Sequence, residues 1–170
     1  MTVPALETHS VRFEIAQKSL KSTNISYDKT SERATIEFPE AVPVGENVLV
    51  VDFTGTINIH MAGFCRAKYN STGEPAAGTP KEGDQHVMMS TQFEACDARQ
   101  AFPCFDEPNL KATFDFEVEI PKDLTALSNM PVKSTRDGPT EGRQFVTFER
   151  TPVMSTYVCS AWFIGPLSGY

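Results

Sequence analysis

Hydrophobic and polar residues alternate with a period of two over most of the chain. The clearest run has Phe114, Phe116, Val118 and Ile120 separated by single acidic residues. This is the pattern of a strand with one buried and one solvent-facing side. Shorter β-compatible runs cover Val11–Ile15, Ala34–Phe38, Val48–Phe53, Met88–Phe93 and Phe145–Phe148. We therefore predict an all-β chain with very little helix.

Turn-forming residues separate these runs. Segments rich in Gly, Pro, Asn or Asp are Asn24–Asp28, Pro43–Asn47, Asn70–Gly83, Pro121–Asp123 and Asp137–Pro139. The longest turn-like segment, Ser71–Asp84, is expected to form an exposed, mobile hairpin loop. Short strands at this spacing are typical of an antiparallel sandwich or a saddle-shaped set of sheets. No internal repeat is visible, so we predict a single domain over residues 1–170.

Composition excludes several classes of partner. The chain has 170 residues, 40% of them hydrophobic, which is enough to bury a core. Its formal charge is -7, and no cluster of Lys and Arg offers a footprint for phosphates, which argues against nucleic acid. No stretch approaches the roughly 20 apolar residues of a membrane span, and Met1–Leu6 has no apolar signal region. We expect a cytoplasmic protein without a membrane segment.

Cysteines and histidines are too scattered to form a recognisable metal motif. The cysteines are Cys65, Cys96, Cys104 and Cys159, and the histidines are His9, His60 and His86. Because no C-x-x-C spacing occurs, we expect free, buried thiols and no metal held by this chain. His60 and His86 are expected at the surface or at strand ends.

The segment Ser90–Thr113 mixes charges with large aromatic residues more densely than any other. A charged run threaded with phenylalanines either pairs its charges internally or keeps one for a ligand. We interpret Arg99 with Asp106 or Asp97 as a structural ion pair. The phenylalanines expected in the core are Phe93, Phe102, Phe105, Phe114 and Phe116.

Glu94 is the candidate ligand-binding carboxylate in this segment. It follows the β-compatible run Met88–Phe93 and precedes a helix-compatible segment, Ala95–Ala101. A carboxylate held by rigid backbone at a strand end can receive a cation. The same carboxylate could instead only cap the segment that follows. The residues alone leave both readings open.

Five sequence blocks resemble the N-terminal domain of the M1 family of zinc aminopeptidases. In chain order they are MAGFCRAKY from Met61, TQFEACDARQAFPCFDEP from Thr91, KATFDFEVEIP from Lys111, LSNMPV from Leu127 and TPVMSTY from Thr151. The likeness is greatest to the puromycin-sensitive type. It implies the saddle-like β-domain of that family.

The resemblance also implies a role for two residues. In the family, the Gln and Glu of T-Q-x-E line the first substrate pocket, and the Glu helps to hold the free α-amine of the peptide. Gln92 and Glu94 occupy those positions. A peptide ammonium offers three donors that a carboxylate can accept. Peptide N-termini are therefore the expected partner, and Gln92 and Glu94 the expected substrate-binding residues.

The catalytic motifs of the family are not found in this sequence. The family binds zinc with H-E-x-x-H and a downstream Glu, and it carries a G-x-M-E-N motif, neither of which occurs here. We expect no catalytic residue in this chain. The resemblance implies that zinc belongs to the full-length enzyme, in a catalytic domain normally on the same polypeptide.

Two functions remain open at this point. The chain is either the N-terminal piece of a zinc aminopeptidase, or a non-catalytic β-domain that binds peptide termini or another protein. A purely structural role has no motif in its favour. The family usually has further strands before the position of Leu6, and a different pattern after Tyr157, so we expect a domain that is incomplete at both ends. Unpaired strand edges would then make the isolated chain marginally stable.

Overall fold

The computed structural model describes residues 6–15, 18–70 and 85–164, nearly all of them in strands, turns and irregular loops. Contacts divide the chain into two compact units, Met1–Thr56 and Ile57–Tyr170. Strands of the first unit are β1 Glu7–Ile15, β2 Lys18–Lys21, β3 Asn24–Asp28, β4 Arg33–Glu37 and β5 Val48–Thr54. Strands of the second are β6 Gly63–Asn70, β7 Gln85–Gln92, β8 Glu117–Pro121, β9 Thr125–Ser128, β10 Val132–Asp137, β11 Arg143–Phe148 and β12 Ala161–Ile164.

The first unit is built on β1, which lies between β2 and β5 in an antiparallel sheet. Val11 and Leu20 are its buried hydrophobic residues among those described. The β3–β4 hairpin forms a separate two-stranded sheet. Phe13 and Phe38 pack edge to face, with ring centroids 5.8 Å apart.

The predicted turn over Asn24–Asp28 is wrong, because these residues form β3. They pair with β4 from Asn24 opposite Glu37 to Asp28 opposite Arg33. The turn follows the strand, where the Asp28 carboxylate accepts from the backbone of Thr30 at 2.9 Å. Asp28, a turn-forming residue, therefore marks the end of the strand and the start of the turn.

The second unit contains two antiparallel sheets. One has the order β6-β7-β12-β9, and the other has the order β10-β11-β8. Two clusters of buried residues form the core among the described residues. The first contains Ile120, Ala126, Val146 and Phe148, and the second contains Phe93, Ala98 and Cys159.

The predicted strand over Phe114–Ile120 is shorter than its alternation suggests. β8 begins at Glu117. Upstream, the Phe114 N–H donates to the Thr151 hydroxyl at 2.9 Å, and the Thr151 N–H donates to the Phe114 carbonyl at 3.0 Å. A side-chain acceptor thus replaces a ladder bond at Phe114, so the regular strand starts later. Phe114 and Phe116 stack with ring centroids 6.0 Å apart.

The all-β antiparallel fold is confirmed. Regular helix is limited, in the described ranges, to two three-residue 3₁₀ turns, Ala98–Gln100 and Thr156–Val158. The helix-compatible segment Ala95–Ala101 therefore forms only one short turn. The predicted loop Ser71–Asp84 lies outside the described residues. Across the ranges that the structure describes, no helix is long and apolar enough to cross a membrane.

Candidate functional site

Gln92 and Glu94 lie where β7 ends. Gln92 is the last residue of the strand, and Glu94 is in the turn that follows. Phe93 between them is buried, while Gln92 and Glu94 are exposed. The alternation of the strand thus continues to Glu94 and directs both polar side chains away from the core.

Gly63, the first residue of β6, lies opposite the end of β7 and allows a close contact there. It pairs with Gln92 in the β6–β7 register and has a φ of 67°. A Cβ atom at Gly63 would lie 2.8 Å from the Gln100 Cβ. Only glycine tolerates both this backbone conformation and this close approach. Gly63 therefore allows the Ala98–Gln100 turn to lie against the start of β6.

The Glu94 carboxylate has no hydrogen-bond or ion-pair partner among the described residues. The turn after it is instead closed by the Asp97 N–H, which donates to the Phe93 carbonyl at 3.0 Å. Gln100 Nε2 donates to the Asp97 carboxylate at 2.5 Å. The carboxylate of Asp97, and not that of Glu94, thus accepts the hydrogen bond from the Gln100 side chain in the short 3₁₀ helix. The peptide bond between Glu94 and Ala95 is cis.

The predicted structural pair of Arg99 is confirmed, and its partner is Asp106. Arg99 Nε lies 3.3 Å from Asp106 Oδ2, and the Arg99 backbone N–H donates to the same oxygen at 3.1 Å. Arg99 Nη2 also donates to the Asp106 carbonyl at 3.0 Å. The Asp106 side chain is 3% exposed and that of Arg99 26%. The pair closes the segment after the short helix into a fixed loop.

Two hydroxyl groups attach this loop to the segment before β12. Thr156 Oγ1 donates to the second Asp106 oxygen, Oδ1, at 2.5 Å. Ser155 Oγ donates to the Pro108 carbonyl at 2.5 Å. Both hydroxyl-bearing residues are buried. Asp106 therefore has partners on both carboxylate oxygens, which is how a buried carboxylate is tolerated.

One expected core aromatic residue is not in the core. Phe93 is buried and packs edge to face with Phe102 at 5.9 Å, and Phe102, Phe114 and Phe116 pack around buried residues. Phe105 is 79% exposed, so the prediction is wrong there. Its neighbour Asp106 occupies the buried position of the loop, and alternation then directs the Phe105 ring outward.

The four cysteines are free, as predicted, but not all are buried. Cys65 and Cys159 are buried, Cys104 is half-buried and Cys96 is exposed, which corrects the expectation of four buried thiols. Burial, with a smaller effect of Asp106, raises the pKa of Cys104 to about 12 and that of Cys159 to about 11. Cys96 follows Glu94 in the solvent-facing turn, which explains its exposure.

His60 and His86 lie where they were expected. His9 and His60 are exposed, and His86 is in β7 with its ring 5.4 Å from that of Tyr69. No group of three or more His, Cys, Asp or Glu side chains that could hold a metal occurs in residues 6–15, 18–70 and 85–164.

The sequence analysis did not identify three residues that hold the turn and the loop after Glu94 in place. They are Gly63, in the block MAGFCRAKY, and Ser155 and Thr156, in the block TPVMSTY. The resemblance implied no function for any of them. The signal was available for Gly63, because a lone glycine at a strand boundary often marks a close backbone approach. The contacts of Ser155 and Thr156 with the loop span 47 and 50 residues. No local pattern predicts them.

Comparison with known proteins gives a family match over most of the chain. The sequence profile of the Peptidase M1 N-terminal domain matches residues 3–158. Aminopeptidase M1-B of Oryza sativa subsp. japonica is 43% identical over 155 residues, covering 91% of this chain and 16% of the rice protein. Puromycin-sensitive aminopeptidase of Caenorhabditis elegans is 41% identical over 147 residues, covering 86% of this chain and 14% of the relative.

A yeast protein gives a similar result. Alanine/arginine aminopeptidase of Saccharomyces cerevisiae is 39% identical over 156 residues, covering 90% of this chain and 17% of the yeast protein. The chain thus spans about a sixth of the length of the relatives that it matches.

Proposed function

The chain belongs to the Peptidase M1 N-terminal domain family, and from this premise we propose that it is the N-terminal part of a zinc aminopeptidase that removes N-terminal amino acids from peptides. Both compact units would belong to one such domain, because the family match runs through the boundary between them. The rice and yeast relatives named above are aminopeptidases, and this chain corresponds to about a sixth of each.

The proposal rests on the exposure of the Glu94 side chain and on its lack of a bonding partner among the described residues. Its side chain is exposed on a fixed strand end, and its carboxylate accepts no bond from the described residues. A carboxylate without an internal partner can bind a peptide ammonium by charge-assisted hydrogen bonds. This supports a substrate role over a capping role, since the following turn is closed by other groups.

Gln92 complements Glu94 chemically. Its side-chain amide provides both an acceptor and two donors, so it can bond the first residue of a peptide beside the ammonium held by Glu94. Together the two side chains would supply part of the pocket for the first substrate residue and for the α-amine. Such a pocket favours free chain ends, because an internal peptide segment has no ammonium to offer.

Zinc would come from the rest of the full-length polypeptide. When bound there, zinc activates the water that attacks the amide. Among the residues that the structure describes, no group of three or more His, Cys, Asp or Glu side chains could hold it. Their proposed part is to bind and orient the peptide terminus.

The test uses a chimera in which this chain replaces its matching 155 residues in rice Aminopeptidase M1-B. Glu94→Gln should lower kcat/KM for an aminoacyl anilide by roughly 5- to 150-fold, the equivalent of about 1–3 kcal/mol of charge-assisted bonding. Glu141→Gln removes an exposed carboxylate elsewhere and should leave kcat/KM unchanged.

The outcomes separate the two functions. An unchanged kcat/KM for Glu94→Gln would show that Glu94 does not bind substrate. A folded chimera that carries the unaltered chain but has no activity would favour the alternative, a non-catalytic domain that binds peptide termini or another protein.

A further inference from the structure

Glu94 lies inside a turn whose two ends are Phe93 and Asp97. The Asp97 N–H donates to the Phe93 carbonyl at 3.0 Å, and Phe93 is buried directly after the end of β7. Glu94 makes no bond of its own to the described residues. The position of its carboxylate therefore depends on the backbone of this turn and on whatever holds the turn at its far end, Asp97.

Gln100 holds that far end. Its Nε2 atom donates to the Asp97 carboxylate at 2.5 Å, and its backbone N–H donates to the Asp97 carbonyl at 3.1 Å. A Cβ atom at Gly63 would lie 2.8 Å from the Gln100 Cβ and 3.4 Å from the Asp97 carbonyl oxygen. Gly63 in turn pairs with Gln92 in the β6–β7 register. The turn of Glu94 is therefore packed, through Gln100, against the strand pair that carries Gln92.

The side-chain amide of Gln100 is not explained by stability alone. Its Oε1 atom is buried and has no hydrogen-bond partner among the described residues. A buried acceptor without a partner destabilises a fold, and methionine, which is similar in length, has no such acceptor. The other end of the amide, Nε2, is the end that bonds Asp97. An apolar side chain could therefore fill this position, but it could not hold the Asp97 carboxylate.

We propose that Gln100 is a positioning residue for recognition of the substrate α-amine: through Asp97 it fixes the turn that presents Glu94 beside Gln92. Glu94 is the group that contacts the ammonium, and Gln100 acts on it through the backbone of the turn. Binding groups must be held within about 0.5 Å of their productive geometry, so a small shift of this turn weakens the bond to the ammonium. The inference rests on the proposed function, because it takes from it that Glu94 binds the α-amine.

Substitutions at both ends of the bond test this role in the rice chimera. Gln100→Met removes the donor, and Asp97→Ala removes the acceptor. Each should raise KM for an aminoacyl anilide by roughly threefold to tenfold and change kcat by less than about twofold, because the ammonium is bound equally before and during the reaction. Asp97→Asn keeps an oxygen that can accept from Nε2 and should restore most of what Asp97→Ala loses.

Two further measurements distinguish positioning from a general loss of structure. The melting temperature of the Gln100→Met chimera should change little, because the variant loses the bond to Asp97 but also removes the unpartnered oxygen. Inhibition by leucinamide, which carries an α-amine, should weaken more than inhibition by 4-methylpentanamide, which lacks the amine. Gln144→Met, at a half-buried position in β11, is the matched control and should leave KM and both inhibition constants unchanged.

The variant with both Gln100→Met and Asp97→Ala should be no worse than either single variant, because both substitutions remove the same bond. Additive losses, an unchanged KM, or equal weakening of inhibition by the two amides would each overturn the inference. A large loss for Glu94→Gln without any effect of Gln100→Met would refute the positioning role and leave the substrate role of Glu94 standing. No effect of Glu94→Gln would refute that substrate role, and a raised KM for Gln100→Met would then show that Gln100 acts on a different group.

Discussion

The second unit uses arginine–carboxylate pairs in two different settings. In the loop after the short 3₁₀ helix, Arg99 bonds a carboxylate that is 3% exposed, and the backbone around it is irregular. In the sheet of β8, β10 and β11, Arg136 bonds Glu117 and Arg143 bonds Glu119, both at 2.7 Å, with side chains 31–56% exposed. The ion-pair distances are shorter in the sheet than the 3.3 Å between Arg99 and Asp106, but the surroundings differ.

The buried pair of Arg99 and Asp106 contributes more to the local structure than the pairs of the sheet. The sheet already satisfies its backbone groups through strand pairing, so its ion pairs add only solvent-screened attraction. The loop has no such ladder, and Asp106 itself bonds the Arg99 backbone N–H and the Thr156 hydroxyl. Removal of a charge should therefore matter much more in the loop than in the sheet.

Asp106→Asn should give the largest effect on stability. It leaves the Arg99 charge without its buried partner, a change that typically costs 3–5 kcal/mol. Because the Arg99 side chain is 26% exposed and can reach water, we expect a loss of about 3 kcal/mol, or roughly 6–12 °C in melting temperature. Near-UV circular dichroism during heating measures it. Glu119→Gln is the matched control from the sheet, and an equal loss there would remove the contrast.

Thr156→Val separates the hydrogen bond from the charge. The substitution keeps the shape of the side chain but removes the hydroxyl that donates to Asp106. Its cost should be about 1.5–3 kcal/mol, the range for hydrogen bonds to charged groups. In the Asp106→Asn background the same substitution should cost less, because the acceptor is then neutral. Equal costs in both backgrounds would show that Thr156 acts through packing alone.

The loop region should also lose stability at alkaline pH in a way that the sheet does not. Burial raises the pKa of Cys104 from its ordinary value of 9.0 to about 12, and that of Cys159 to about 11. Below the ordinary value both thiols are neutral in the folded and the unfolded chain, so their contribution is fully present. Above it the unfolded chain ionises first, and stability falls until the folded values are passed.

Urea unfolding from about pH 8 to about pH 11 measures this loss. Other groups titrate in that range, so the comparison is with Cys104→Ala, whose midpoint should fall less steeply with pH than that of the unaltered chain. Parallel slopes would show that Cys104 ionises equally well in the folded chain.

The sequence predicted the regular parts of the molecule better than the irregular ones. The strand β11 is readable, because Val146 and Phe148 lie two residues apart and are buried, whereas Thr147 between them is only partly buried. Arg99 and Asp106 were predictable as a pair, since they are close in sequence and oppositely charged. Phe105 was misassigned because its exposure depends on Thr156, a residue 51 positions away, which fixes Asp106 inward. For Glu94 the sequence left two alternatives open, ligand binding and capping. Whether its carboxylate caps the following turn depends on the three-dimensional structure and not on the local sequence.

The smallest expected effect is that of the surface pair Arg143 and Glu119. Arg143 Nε donates to the Glu119 carboxylate at 2.7 Å, and Arg143 Nη2 donates to the Glu119 carbonyl at 2.9 Å. A double-mutant cycle with Arg143→Ala and Glu119→Ala isolates the pair from the strand pairing around it. Its coupling energy should be about 0.2–1 kcal/mol and should shrink as salt is added, because water and ions screen both groups. A coupling as large as the loss from Asp106→Asn would mean that strand register, and not burial, sets the strength of these pairs.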